Sequence, residues 1–312
     1  MMVRPFDWRD IPILHRYRNQ CLFLDSSLVL TSGPVLAPAG ALLSSLSPAT
    51  GIFTYLAHDE GNDHSPLIGQ VTHASGQSSA RMSFIAPRGE AHLPGLAGVV
   101  ESMAVHVGER GAMHIQAEVN IQEALFELLR QAGFGIYARQ RIWQLEKAKA
   151  SQSLPGIRRA VTGRDTASVR FLYANLVPGL VQQVEPPPSN RLQGLVYYHG
   201  NELLVYIEVR YGPSGIWVQP FVHPDAENVA EPLFHLLQNL PYRNARPVYV
   251  CVRSYQSWLE PVIERLGGEP SPMQAVVVRH LAAARRQAAA NHVVVLDKQT
   301  AEPTVPIVRL RR

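Results

Sequence analysis

Arg81-Met82-Ser83-Phe84-Ile85-Ala86-Pro87-Arg88-Gly89-Glu90-Ala91-His92-Leu93-Pro94-Gly95-Leu96-Ala97-Gly98 is the stretch whose reading decides the fold. Arg81–Ala86 reads as a strand, stopped at Pro87. A glycine-bearing loop follows. Leu96, Val99, Val100, Met103 and Val107 then recur at helical spacing, with Gly108 as the expected stop. Downstream, Met113–Val119 reads as a strand. Ile121, Leu125, Leu128, Leu129 and Ala132 form a helical stripe ended by Gly133, and Gly135–Leu145 reads as a further strand. Upstream, Val3–Pro5 reads as a short strand, Asp7 and Asp10 offer caps, and Ile11, Leu14, Tyr17, Arg18, Cys21 and Leu22 follow at helical spacing. Ala41–Leu46 reads as a short helix. Gly51–Ala57 and Pro66–His73 read as a strand hairpin turning through Asp59–Asp63.

The order then begins again. Ile157-Arg158-Arg159 restarts as Val3-Arg4-Pro5 did, and Arg164-Asp165 echoes Arg9-Asp10. Leu203–Val209, Gly215–Pro220, Val248–Val252 and Ala275–Val278 read as strands. Leu233, Leu236, Leu237 and Leu240 mark one helix. Ser257-x-x-Glu260, a capping-box pattern, precedes a second helix ended by Gly267. This is an internal repeat of domain size. It divides the chain into residues 1–148, a polar linker 149–155, residues 156–281, and a basic tail 282–312. The fold class is α/β, a mixed sheet in two tandem copies. For the tail, two readings stand: disorder, or a strand added to a sheet edge.

Composition excludes several classes. The chain has 312 residues, 46 % of them hydrophobic, which rules out a largely disordered protein. The net charge is +4. Residues 282–312 hold six basic and two acidic residues, so the body is neutral and offers no nucleic-acid footprint. Two cysteines, Cys21 and Cys251, exclude a disulfide scaffold and any all-cysteine metal site, and no His-x-x-x-His spacing is present. No metal is expected. The N-terminus has no apolar signal region. Ser26–His58 carries no charged residue, yet six prolines and glycines interrupt it. It reads as buried structure, without membrane contact. The expected location is the cytoplasm.

The order of elements resembles the GNAT (GCN5-related N-acetyltransferase) superfamily, present twice. Leu128-Leu129-Arg130-Gln131-Ala132-Gly133-Phe134 is similar to the family's helix end in Gly-Phe, and the strand–Pro–loop–helix around Pro87 and Pro224 is similar to its acyl-CoA cradle. The resemblance covers roughly residues 3–146 and 157–281. It implies a sheet splayed at its middle, acetyl-CoA as co-substrate, and pyrophosphate on backbone N–H groups at a helix N-terminus. In the first half, His92-x-x-Gly95-x-Ala97 matches the family's phosphate-loop pattern, with His in place of Gln or Arg. The implied cofactor residues are Ile85, Ala86, His92, Gly95, Leu96, Ala97 and Gly98, with Gln122 where many members place an Asn. In the second half, Glu227 stands where the family has Arg, and Asn228, Ala230 and Pro232 where it has Gly, so that copy reads as degenerate.

The family's phenolic acid falls at Leu129 and Ile263, so both copies lack it. Glu118, at a strand end near the implied splay, is the candidate base, with a solvated carboxylate as the alternative; His73 and His114 read as structural, and Glu208 sits in an apolar strand. The leading expectation is acetyl transfer to a small-molecule or N-terminal amine by direct attack in a ternary complex. The alternative is an inactive tandem pseudo-acetyltransferase serving as a ligand-binding or scaffold protein. An open splay at Ile85-Ala86 goes with the first, a filled cleft with the second. A homodimer is compatible with either.

Overall fold

The computed structural model describes residues 2–34, 51–58, 65–89, 91, 93–145, 157–188, 192–224, 226, 230–238, 240 and 246–281. Ala41–Leu46, Asp59–Asp63, the linker, the tail and His92 lie outside these residues.

The first half runs β1 (Met2–Pro5), a 3-10 turn, α1 (Ile11–Arg16), β2 (Leu22–Phe23), α2 (Ser26–Ser32), β3 (Ile52–His58), β4 (Leu67–Thr72), β5 (Ser79–Ala86), α3 (Leu93–Glu109), β6 (His114–Asn120), α4 (Ala124–Gln131) and β7 (Gly135–Leu145). The second half runs β8 (Ile157–Ala160), a 3-10 turn, α5 (Thr166–Leu176), α6 (Gly179–Val184), β9 (Gly194–His199), β10 (Glu202–Tyr211), β11 (Ile216–Val222), α7 (Ala230–Gln238), β12 (Val248–Arg253), a 3-10 turn, α8 (Glu260–Arg265), β13 (Glu269–Pro270) and β14 (Gln274–His280).

The repeat is visible in matching atoms. Asp10 takes both guanidinium nitrogens of Arg4 at 2.7 and 2.6 Å and accepts the Asp7 N–H. Asp165 does the same with Arg159, at 2.6 Å to each nitrogen, and accepts the Thr162 N–H. Gly133 and Gly267 both follow a helix at φ +90 and +85, the left-handed position glycine takes without strain. Two expectations are corrected. Gly108 does not stop α3, which runs on to Glu109, the chain turning at Gly111 (φ +96) instead. Ser257 and Glu260 form no capping box: a 3-10 turn spans Ser254–Leu259, and α8 begins at Glu260 without a side-chain cap.

Among the described residues the strands form a single sheet in the order β1-β3-β4-β5-β6-β14-β7-β12-β11-β10-β9-β8. The two halves exchange their last strands. β14 lies beside β6 (Val276 opposite Glu118), and β7 lies beside β12 (Val250 opposite Trp143). β7 and β14 also pair with each other. The apolar pattern accounts for this. Ala275 and Val277 of β14 pack in the first half's core under α3, while Trp143 and Leu145 of β7 pack in the second half's core under α7 and α8. Each core is therefore completed by a strand of the other half, and each large buried side chain contributes about 1.5–3 kcal/mol. The halves meet again where α2 ends on the β10–β11 turn. A Cβ on Gly212 would stand 2.2 Å from the Thr31 carbonyl oxygen, and the Ser214 N–H donates to that same oxygen at 2.8 Å.

Candidate functional site

β5 and β6 run parallel and pair only from Ser79/His114 to Arg81/Gln116; beyond that they diverge. The gap is the splay the resemblance implies, and it is filled by the chain itself. Leu22 pairs with Ile85 and Phe23 with Phe84. The Leu24 N–H donates to the Ser83 carbonyl at 2.9 Å, the Glu118 N–H to the Leu24 carbonyl at 2.8 Å, and the Arg88 N–H to the Gln20 carbonyl at 2.6 Å. Residues 20–24 thus occupy the β5 edge as a strap of backbone. The sequence explains why they stay: Leu24 is buried in the first half's core, and an unpaired strand edge inside a protein is costly.

What remains between Leu22, Ile85, Arg88 and Leu125 is a crevice of about 40 Å³. That is room for about one water molecule. Arg88 and Glu123 form an ion pair beside it. In the first turn of α3, Gly95 and Leu96 are buried, and Ala97 and Gly98 are half-buried. Ile85 and Ala86 are buried under the strap and β4. Gln122 is exposed, and its backbone N–H donates to the Asn120 side chain at 3.0 Å.

Glu118 is not the solvated carboxylate that was the alternative to a base. It is 5 % exposed, accepts the Ser26 N–H at 3.0 Å, and lies 3.6 Å from Arg81. Asp25 caps α2 through the Leu28 N–H and lies 3.8 Å from the same guanidinium. These two acids anchor the start of α2 directly after the strap. His73 and His114 are both buried, as expected of structural histidines; His114 lies 3.0 Å from the Val184 carbonyl at the end of α6.

The second half splays in the same way. β11 and β12 pair from Ile216/Val248 to Val218/Val250 and then part. Here one side chain spans the gap. The Gln256 carboxamide accepts the Val222 N–H at 3.0 Å and donates to the Pro220 carbonyl at 2.9 Å, copying the bonding of a neighbouring strand. Gln122 and Gln256, matched in the repeat, therefore have opposite environments. Glu227 and Asn228 lie outside the described residues.

A cavity of about 730 Å³ lies between the halves on the sheet face away from α3 and α7. Arg81 and Gln116 line it from the first half; Glu185, Glu208, Gln219 and Arg253 from the second. Gln219 and Arg253 lie past the last paired residues of β11 and β12, so the second splay opens into this cavity. Glu185 holds its wall together. It accepts from the Tyr137 hydroxyl and from Arg253 at 2.6 Å each, and its carbonyl accepts the Tyr173 hydroxyl at 2.6 Å. Burial alone would raise the Glu185 carboxyl, but Arg253 and Arg81 outweigh it and hold the group below the usual carboxylate range. Burial pushes the Tyr137 phenol well above its ordinary value, with the Glu185 charge adding to it. Glu208, placed in an apolar strand by the sequence, does face this cavity, paired with Arg210 at 3.0 Å.

Sequence reasoning missed Arg253, Glu185 and Tyr137. The available signals were an arginine ending the apolar run Val248–Val252 and a glutamate directly before Pro186-Pro187-Pro188. Among the described residues no group of three or more His, Cys, Asp or Glu is placed to hold a metal ion, and no helix is long and apolar enough to cross a membrane.

No family model matches the sequence, and no curated protein matches it. Solved structures do match the fold. A GCN5-related N-acetyltransferase from Sphaerobacter thermophilus superposes with a TM-score of 0.57 at 13 % identity, over 90 % of this chain and 95 % of that one. A tandem GNAT protein from the clavulanic acid biosynthesis pathway, solved without acetyl-CoA, gives 0.50 at 15 % identity, over 90 % and 98 %. A GCN5-related N-acetyltransferase from Kribbella flavida gives 0.50 at 12 %, over 77 % and 93 %. The chain carries the fold of the GNAT acetyltransferases, laid out twice in one sheet. At these identities the likeness is one of fold.

Proposed function

We propose that this chain is a ligand-binding protein built on a tandem acetyltransferase fold, with the cavity between its halves as the binding site. The observation that carries the reading is the strap. Residues 20–24 pair with β5 at Ser83, Phe84 and Ile85 and take the Arg88 N–H just beyond it, covering the strand end Ile85-Ala86 that the resemblance assigns to acetyl-CoA. Displacing them would break backbone bonds at Ser83, Ile85, Arg88 and Glu118 and withdraw Leu24 from the core. A buried hydrogen bond left unmade costs about 1–3 kcal/mol. A cofactor arm taking this edge would have to remake these bonds and also offset the loss of Leu24 from the core.

A second reading, acetyl transfer to a small or N-terminal amine by the second half, has one observation in its favour. There, among the described residues, the Gln256 side chain bridges the edge, and the splay mouth opens into the large cavity. Calorimetric titration of acetyl-CoA separates the readings. The ligand-binding reading expects no saturable heat at millimolar acetyl-CoA. One-site binding abolished by Gly95→Glu would return the first half as an acetyl-CoA site. One-site binding untouched by Gly95→Glu but changed by Gln256→Ala would establish the second half.

A further inference from the structure

Only Asp25 separates the strap, residues 20–24, from α2 (Ser26–Ser32). The first half grips this helix near its start, where Glu118 accepts the Ser26 N–H and Leu28 packs beside Phe84. The second half grips it along its length. Leu30 packs against the cluster of Ile142, Trp217 and Cys251. The Thr31 carbonyl accepts the Ser214 N–H at 2.8 Å, and the Ser26 hydroxyl donates to the Gln274 carboxamide at 3.2 Å. A continuous run of polar contacts also leads from the cavity wall to the strap. Glu208 accepts from Nε and Nη2 of Arg210 at 3.2 and 3.0 Å, which fixes the guanidinium. Its Nη1 donates to the Ser27 hydroxyl at 3.2 Å, and that hydroxyl donates to Asp25 at 3.1 Å. Asp25 in turn caps α2 through the Leu28 N–H and follows directly on Leu24 of the strap.

We propose that the second half clamps the strap through α2, so that closure of the β5 edge in one copy is controlled by the other. A short helix with its cap in place moves as a unit, and rigid elements joined by hydrogen-bond networks carry coupling between sites. Each residue of the strap loses conformational entropy when it lies on the edge. Fixing α2 fixes one end of the strap and favours its closed position over local opening. This gives the second copy a role that needs no cofactor of its own. Glu208 and Arg210 line the cavity, so a ligand resting there touches the outer end of the clamp, and occupation of the cavity is felt at the β5 edge. The proposal rests on the closed-edge reading and adds what controls that edge.

The test is amide hydrogen exchange on the full chain in three forms: unaltered, Arg210→Ala and Gly212→Ala. Both substitutions lie in the second half. The first removes the bond to Ser27; the second places a methyl 2.2 Å from the Thr31 carbonyl oxygen. The strap is read at the Leu24 and Glu118 amides, which bond to Ser83 and Leu24. Ala112 and Phe134, bonded to Val107 and Leu129, report on the rest of the first half. The expected result is exchange at least tenfold faster at Leu24 and Glu118 in both variants, with Ala112 and Phe134 unchanged. Arg210→Ala introduces no clash, so it decides the matter where Gly212→Ala fails to fold. Unchanged exchange at Leu24 and Glu118 in Arg210→Ala, or an equal rise at all four amides, overturns the clamp. Slow exchange in the unaltered chain with no effect of Arg210→Ala removes the clamp and leaves the closed edge standing. Rapid exchange at Leu24 and Glu118 in the unaltered chain removes both.

Discussion

Replacing Gln256 by leucine removes the bridge across the second splay while keeping a side chain of similar bulk. Two backbone groups lose their partners, the Val222 N–H and the Pro220 carbonyl. Val222 is fully buried and Gln256 is 1 % exposed, so water does not replace the lost bonds. Each orphaned group costs about 1–3 kcal/mol. The pair should lower stability by about 3–4 kcal/mol, a fall in Tm of roughly 6–16 °C at about 2–4 °C per kcal/mol. The assay is equilibrium urea unfolding at pH 7, read by fluorescence and circular dichroism, so that coincident curves justify a two-state treatment. The matched substitution Gln122→Leu is the internal control. That side chain is exposed, and its change should stay within about 0.5 kcal/mol. A loss below about 1 kcal/mol in Gln256→Leu, or equal losses in both variants, refutes the claim that Gln256 acts as a surrogate strand.

Three further outcomes follow from the same coordinates. Gly212→Ala places a methyl 2.2 Å from the Thr31 carbonyl, where α2 of the first half meets the β10–β11 turn; this overpacking should cost about 1–3 kcal/mol in urea unfolding and raise amide exchange at Ser214. Acid should destabilise the fold in two stages. Burial lowers the His106 and His114 pKa values, so the unfolded chain binds protons first and stability falls as pH drops below about 6.5. Asp165, lowered mainly by its hydrogen bonds from Arg159, and Glu185, lowered by Arg253 despite burial, contribute stability present above about pH 4 and lost below it; Tm against pH from 8 to 3 reads both stages. Tyr137→Phe deletes the 2.6 Å bond to Glu185, which should cost about 1–3 kcal/mol and raise the Glu185 carboxyl, visible as an acid limb shifted to higher pH.

Much of the fold could be read from the sequence because its signals are local. Strand and helix periodicity, Gly133 and Gly267 at matched helix ends, and the Arg9-Asp10/Arg164-Asp165 echo all lie within single elements, and the Asp10 and Asp165 ion pairs confirm the register of the repeat. The exchange of β7 and β14 was not legible, because both strands carry apolar residues suited to either neighbour and only the assembled sheet chooses. The strap was missed for a related reason. Cys21 and Leu22 stand at helical spacing from Ile11, Leu14 and Tyr17 and so read as part of that helix, whereas α1 ends at Arg16 and Leu22–Phe23 is a strand whose neighbours Ser83 and Glu118 are distant in sequence. The resemblance directed attention to the Gly95 loop and Glu118. In the folded chain the exposed Gln122 stands apart from the buried Glu118, and the charged residues that converge on one space, Arg253 and Glu185, come from an apolar strand end and a loop before three prolines.

The account turns on whether residues 20–24 hold the β5 edge in solution. Amide hydrogen exchange at Leu24, Arg88 and Glu118, with and without millimolar acetyl-CoA, measures this directly. The account predicts slow exchange at all three, unchanged by acetyl-CoA. Rapid exchange in the free protein, or protection at Leu24 and Glu118 that disappears when acetyl-CoA is added, would contradict it and show the edge to be a cofactor site covered by a removable strap.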